Sequence, residues 1–372
     1  MGRSADQHRA ARRELFDVFP RTPTPDDSIR FQRLLAREIL QSEAEYALEK
    51  TESLKEHLRA VRVYGDALAH TLLSRYAIRQ LSRNPGNHPD LLGQGKAFQL
   101  AMDCAEALAG QRIPPLLADL TNVVRNGDLI ACVDPNLPVM LECKLSKVKD
   151  VRFERQGRRG RQLSRLESIG ALLRDGRGRV HGESTDRYTV EVTCVPRYSY
   201  AIVDEIVASA LQRRPSMVTP SPNELYAATM VGEVVDSTSG VLQLWAEQND
   251  LVAIGSSLDP LQSGTWDIPP PVLWDIGREA QWALMERDVA VSHAIGVGAL
   301  VGLTRDNVRV TSVIKLPGEL PWGYEVLVDD EAVTVSANVV LDVVYCHRTV
   351  ESAGEMLLEL AERVVTLMLR DA

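Results

Sequence analysis

The chain has 372 residues, 45% of them hydrophobic and 25% charged, with a net charge of −9. These are ordinary values for a folded chain with room for two domains or one large one. There is no run of about 18 apolar residues to make a membrane helix, MGRSADQHRAARRELF lacks the apolar centre of a signal peptide, and the five cysteines show no CxxC pair, so a reduced, cytoplasmic protein is expected.

Taken in order, residues 1–27, rich in Arg, Asp and Pro, read as a flexible N-terminus. Residues 28–90 read as a helical segment, Pro-free from Ser28 to Ser82 with Gly65 alone among the glycines, and long enough to serve a homodimer. Asn84-Pro85-Gly86-Asn87 marks a loop inside it. A helix is expected over Gly95–Ala109, then a Pro-containing connection over Gln111–Thr121. Leu129–Val133 and Val139–Leu145 read as two strands joined by the turn Asp134-Pro135-Asn136-Leu137-Pro138. Beyond them come a charged loop over 148–160, an amphipathic helix over Arg161–Arg174, a strand over Tyr188–Val195 and a helix over Ile202–Leu211. Pro215–Pro222 reads as a linker. The last region, 223–372, reads as α+β, with strands over Val308–Ile314, Tyr324–Val328, Val333–Ser336 and Val339–Tyr345 and a terminal helix over Ser352–Leu369. Its role is that of a sensor or a site for a protein or ligand partner.

The hairpin carries the chemistry. Residues two apart on a strand share a face, so Glu142 and Lys144 point to one side while Leu141, Cys143 and Leu145 point to the other. Asp128 enters the first strand after Gly127, which brings two carboxylates and an ammonium toward one point. Between Lys144 and Val180 there are twelve Lys/Arg against four Asp/Glu, a basic island in an acidic chain that suits a polyanion.

Other motifs fail. No P-loop, HExxH, GxSxG or zinc spacing is present, and Gly296–Gly302 has the wrong spacing for a dinucleotide loop. His293 and His347 are isolated and read as structural. Trp245, Trp266, Trp274 and Trp282 read as core in preference to base-stacking platforms.

An Asp, a turn-linked strand pair and then Glu-x-Lys resembles the signature of the PD-(D/E)xK nuclease superfamily, the restriction-endonuclease-like fold. Here it is Gly127-Asp128, thirteen residues, then Glu142-Cys143-Lys144, with Asn126-Gly127 where the family often has Pro. The resemblance covers roughly residues 91–213. It implies an α/β fold with an α-β-β-α-β core in a domain over 91–214, and a metal-dependent nuclease, a DNase in bacterial genome defence or repair. It further implies Mg²⁺ or Mn²⁺ held by Asp128, Glu142 and the main-chain carbonyl of Cys143, with Lys144 and the helix residue Gln162 completing the catalytic set. Asp103 or Glu106 would supply the acid that many members carry on the first helix. Arg158, Arg159, Arg161 and Arg165 would then bind the nucleic-acid backbone without reading sequence. The alternative is an inactive module of the same fold, used to bind nucleic acid or to scaffold an assembly.

Overall fold

The computed structural model describes residues 2–82, 90–124, 126–143, 158–175, 177–178, 187–188, 192–214, 216–231, 242–243, 245–247, 249, 251–257, 268–315, 322–336 and 338–371; for 158–165, 177–178, 187–188, 322, 338 and 368–371 it is the backbone alone. The protein is mixed α/β and divides into two compact units, Met1–Thr189 with Gly264–Leu273 and Val190–Ser263 with Trp274–Ala372. Among the described residues no helix is long and apolar enough to cross a membrane.

The first unit opens with helix α1 (Ala5–Val18), where composition suggests a flexible tail. The correction has a local cause. Ser4 and Gln7 form a capping box that satisfies the free N–H groups of the first turn, while Leu15 and Phe16 are buried. Arg3 ties this end down by donating to Glu38 and Glu45 at 2.9 and 2.8 Å. The expected helical segment breaks at its caps. Helix α2 (Pro25–Glu49) starts at a Thr24/Asp27 capping box and stops at Lys50, whose φ of 50° is left-handed. Helix α3 (Glu52–Leu72) starts at Thr51 and α4 (Arg75–Leu81) at Ser74. The loop expected at 84–87 lies outside the described residues. After the short α5 (Leu91–Gln94) comes α6 (Lys96–Gly110), which turns Phe98, Met102 and Ala105 inward.

The connection expected over 111–121 is in fact a strand and a turn: β1 (Pro115–Leu117) and a 3-10 turn, Ala118–Leu120. With β2 (Leu129–Ala131) and β3 (Val139–Leu141) it forms a three-stranded antiparallel sheet in the order β1-β2-β3. Helices α2 and α6 pack on β1, and α7 (Arg158–Asp175) reaches β3. The expected charged loop over 148–160 lies outside the described residues up to 157, and α7 begins at Arg158. In place of the strand expected over 188–195, β4 (Arg177–Gly178) pairs with β5 (Arg187–Tyr188), and 192–197 is not strand.

The second unit begins with α8 (Tyr200–Leu211). The stretch 215–222 that composition reads as a linker holds β6 (Ser216–Ser221), paired with β7 (Glu224–Met230). The two compact units divide between Thr189 and Val190. Strands β8 (Val252–Ser256) and β9 (Val289–Gly296) complete an antiparallel sheet, β6-β7-β9-β8, with α9 (Arg278–Met285) leading into β9. A second antiparallel sheet runs β10 (Thr304–Arg305), β11 (Val308–Lys315), β12 (Trp322–Val328), β13 (Glu331–Ser336). Residues 339–345, expected as a strand, belong to helix α10 (Asn338–Cys346). Val339, Val340, Val343 and Val344 recur at helical spacing and bury one face across β8 and β9, a tertiary contact that overrides β-branched propensity. Helix α11 (Val350–Asp371) packs on β11, β12 and β13.

Candidate active site

The sheet of the first unit places the acids. Leu129 pairs with Leu141, and one step beyond that last pair stand Asp128 and Glu142, both half-buried. The Asp128 N–H donates to the Leu141 carbonyl at 3.0 Å, and the Cys143 N–H donates to Asp128 Oδ2 at 2.7 Å. The main chain of Cys143 therefore lies against the Asp128 carboxylate. Gly127 makes this entry possible, because its φ of +84° is a conformation that side-chain-bearing residues rarely hold.

Helices hold the segment before Asp128 in place. From α2, buried Gln32 donates to the Pro115 carbonyl and accepts from the Leu117 N–H at 2.7 Å. From α3, Gly65 lets the helix press against the turn; a Cβ there would run into the Leu120 carbonyl oxygen. Its neighbour Asp66 accepts from the Asn122 and Val123 N–H groups and from Asn122 Nδ2. Burial pushes Asp66 up to about 6, against those hydrogen bonds. From α4, the Ser74 N–H donates to Pro135 in the hairpin turn, and Asn126 donates to the Leu81 carbonyl.

A third acid, Asp119, stands in the 3-10 turn between β1 and β2. The Ala118 N–H beside it donates to the Asp128 carbonyl at 3.2 Å. Gln94 donates to Asp119 Oδ2 at 3.0 Å. Burial pushes the Asp119 carboxyl up to about 6, and the charges of Asp128 and Glu142 push the same way against Gln94 and Arg62. Sequence reasoning missed Asp119. It is a single acid in an apolar run, PPLLADL, which composition alone reads as a connection. The two helix acids considered instead are engaged elsewhere: Asp103 is exposed and accepts from Gln99, and Glu106 pairs with Arg33 at 2.6 Å.

No family model matches the chain, and no curated protein or solved structure does.

Lys144 lies outside the described residues. Gln162, Arg158, Arg159, Arg161 and Arg165 lie on the backbone of α7, with no side chain described. The Cys143 thiol is pushed by burial up to about 12, with Cys104 of α6 and the nearby carboxylates adding to it, so it stays protonated and is a poor metal ligand. Among the described residues no group of three or more His, Cys, Asp or Glu side chains could hold a metal ion. What the hairpin offers is two carboxylates and the main chain of Cys143. An all-oxygen, incomplete donor set of this kind fits Mg²⁺ or Mn²⁺, which keep several waters, and not a closed zinc site. Of the tryptophans, Trp274 and Trp282 are buried, and Trp266 lies outside the described residues.

Proposed function

We propose that Asp128 and Glu142 form the acidic centre of a divalent-cation-dependent nuclease on a restriction-endonuclease-like hairpin, acting on DNA. The observation that supports this reading is the Cys143 N–H that donates to Asp128 Oδ2 at 2.7 Å, which ties the Asp128 carboxylate to the main chain next to Glu142. The field that both exert on Asp119 supports their proximity. Two carboxylates held together repel, and a structure keeps them only where a cation or a proton is to be held.

When bound, Mg²⁺ or Mn²⁺ supplies a water of lowered pKa as the nucleophile. Asp128 and Glu142 provide the anionic ligands, and Asp128 is oriented by the Cys143 N–H. Lys144, two residues past Glu142, brings an ammonium that offsets charge developing on the phosphate. Gln162 holds water or a phosphate oxygen. The arginines of the basic island neutralise the backbone, each phosphate contact adding about 0.9 to the salt slope on duplex DNA.

The test is supercoiled plasmid incubated with Mg²⁺ or Mn²⁺ and the wild type, Asp128→Asn or Lys144→Ala. Cleavage by the wild type and its loss in both variants is the expected result. Cleavage that persists in Asp128→Asn contradicts the reading. The second reading, an inactive binding module, is favoured by the lack of a three-ligand cluster among the described residues; it corresponds to salt-sensitive DNA binding with no cutting under either ion.

A further inference from the structure

We infer that His347 is the catch of an acid-released latch: with its imidazole neutral it holds the start of α8 against the junction of α10 and α11, and on taking up a proton it lets that contact go. The junction is built from main chain. Helix α10 ends at Cys346, His347 follows in the left-handed region at φ 53°, and Thr349 caps α11 by accepting from the Ser352 N–H at 3.2 Å. Opposite runs the segment that leads into α8. The Ser199 N–H donates to the His347 carbonyl and the Thr349 N–H to the Arg197 carbonyl, both at 2.8 Å, with Tyr198 facing Arg348 in an antiparallel bridge. A ladder this short depends on the side chains packed around it.

The His347 ring is 1% exposed and lies among other rings. Trp274 meets it edge-on at 4.9 Å, and His293 and Tyr226 lie 5.6 and 5.9 Å away. Among the described residues neither of its nitrogens has a hydrogen-bond partner. A neutral imidazole can stay there, but an imidazolium would be a buried charge with nothing to pair it, at a far larger cost. His293 shows the difference: it is as buried, yet sits between the Val343 carbonyl at 2.9 Å and Glu224 at 3.1 Å. The other titratable groups around the junction are committed elsewhere or face solvent. Glu224 of β7 is taken by His293 of β9, and burial keeps the Tyr226 phenol protonated. Asp204 of α8 accepts from the Gly277 N–H, and Arg197 pairs with Glu355. Arg348 is turned to Ser352, Cys194 and Asp342 of α10, while Asp275 beside Trp274 and Glu351 of α11 are exposed.

Burial, with His293 beside it, holds His347 well below its ordinary value. In the released junction the imidazole meets water and titrates at about 6.5. Release is therefore indifferent to pH above about 6.5 and grows about tenfold for each pH unit below it, one proton being taken up. His293, held on both sides, stays in place, so the ring stack parts at His347 and the β7–β9 ladder is left whole.

The experiment is amide hydrogen exchange on the full chain between pH 7 and pH 5, with rates divided by the intrinsic rates, in the wild type and in His347→Phe. The Ser199 and Thr349 amides of the wild type are expected to lose protection about 25-fold over that range, while amides of the β7–β9 ladder keep theirs. In His347→Phe, which has no proton to take up, the two junction amides are expected to hold the same protection at both pH values. Ladder amides that lose protection in step with the junction mean that acid unfolds the whole unit, and the inference falls. It falls too if junction protection does not change with pH, or if His347→Phe shows the wild-type loss. Should that variant fail to fold, the wild-type profile decides: a loss that starts near pH 6.5 and runs at about tenfold per unit is an imidazole's, and one that starts only below about pH 5 belongs to carboxylates and overturns the latch.

Discussion

The two units satisfy their buried backbone groups with different balances of side chain and ladder. In the first unit the sheet is short, three pairs per ladder, and the backbone around it is irregular. Its N–H and carbonyl groups are met by side chains sent in from helices: Gln32, Asp66 and Asn126. The helices join through closed polar chains as well. Arg12 donates to His57 Nδ1 at 2.7 Å, which leaves Nε2–H to donate to Glu38 at 2.9 Å and fixes a neutral imidazole. Burial works against the Glu38 carboxylate, but His57, Arg3 and Ser42 hold it at about 2.

In the second unit long ladders carry more of the load, as the seven pairs of β7 with β9 do, while Glu359 of α11 accepts from the Thr193 and Cys194 N–H groups. Side chains are then free to stack. Tyr226 lies 3.8 Å from His293, His293 5.6 Å from His347, and Trp274 meets His347 edge-on at 4.9 Å. His293 faces the Val343 carbonyl with one nitrogen and Glu224 with the other, whereas both nitrogens of His347 are buried without a partner among the described residues. His347 also holds a left-handed φ of 53°, and its carbonyl accepts from the Ser199 N–H. Both units hold charge in the interior, Glu38 in the first and Arg348 and Glu359 in the second, and the second also buries His347, which burial keeps neutral.

The sharpest way to break this contrast is Asp66→Ala. It strands two backbone N–H groups and the Asn122 amide, at about 1–3 kcal/mol for each buried group left unpaired. Urea unfolding should show the first unit losing about 3 kcal/mol or more while the second melts unchanged. A loss under about 1 kcal/mol would mean that the clamp does not carry the loop. Gly65→Ala pushes a methyl into the Leu120 carbonyl and should cost about 1–3 kcal/mol of the same transition, with Mn²⁺ affinity falling alongside.

The second unit should betray its histidine through pH. Burial and the neighbouring His293 hold His347 well below its ordinary value, so its contribution to stability is intact above about pH 6.5 and is lost as pH falls toward the folded-state value. The slope in that window is at most about 1.4 kcal/mol per pH unit. His347→Phe should flatten it, as read from tryptophan fluorescence in denaturant between pH 7 and 5; an unchanged slope would assign the acid sensitivity elsewhere. The smallest effect is expected from Ser4→Ala, which opens the capping box of α1 and should cost about 1 kcal/mol.

Legibility followed the same division. The strands of the second unit alternate in burial over 308–311 and 324–328, a period visible in the sequence. Helix α10 could not be read so, because a run of valines looks like a strand until the sheet beneath it is known. In the first unit the hairpin and its acids were visible, since turn chemistry and Glu-x-Lys are local signals. Strand β1 has three residues and begins at a proline, and the fold of 2–27 rests on Arg3 and Glu38, which are 35 positions apart. The turn that carries Asp119 was hidden for the same reason: it is tied to Asp128, ten positions after Ala118, by the Ala118 N–H.

The central claim, that Asp128 and Glu142 act together on one cation, is tested most directly by Mn²⁺-dependent plasmid cleavage with Glu142→Gln, a change of charge with almost no change of shape. A loss of at least about a hundredfold in rate, with folding intact, is the expected result. Cleavage at the wild-type rate would contradict it.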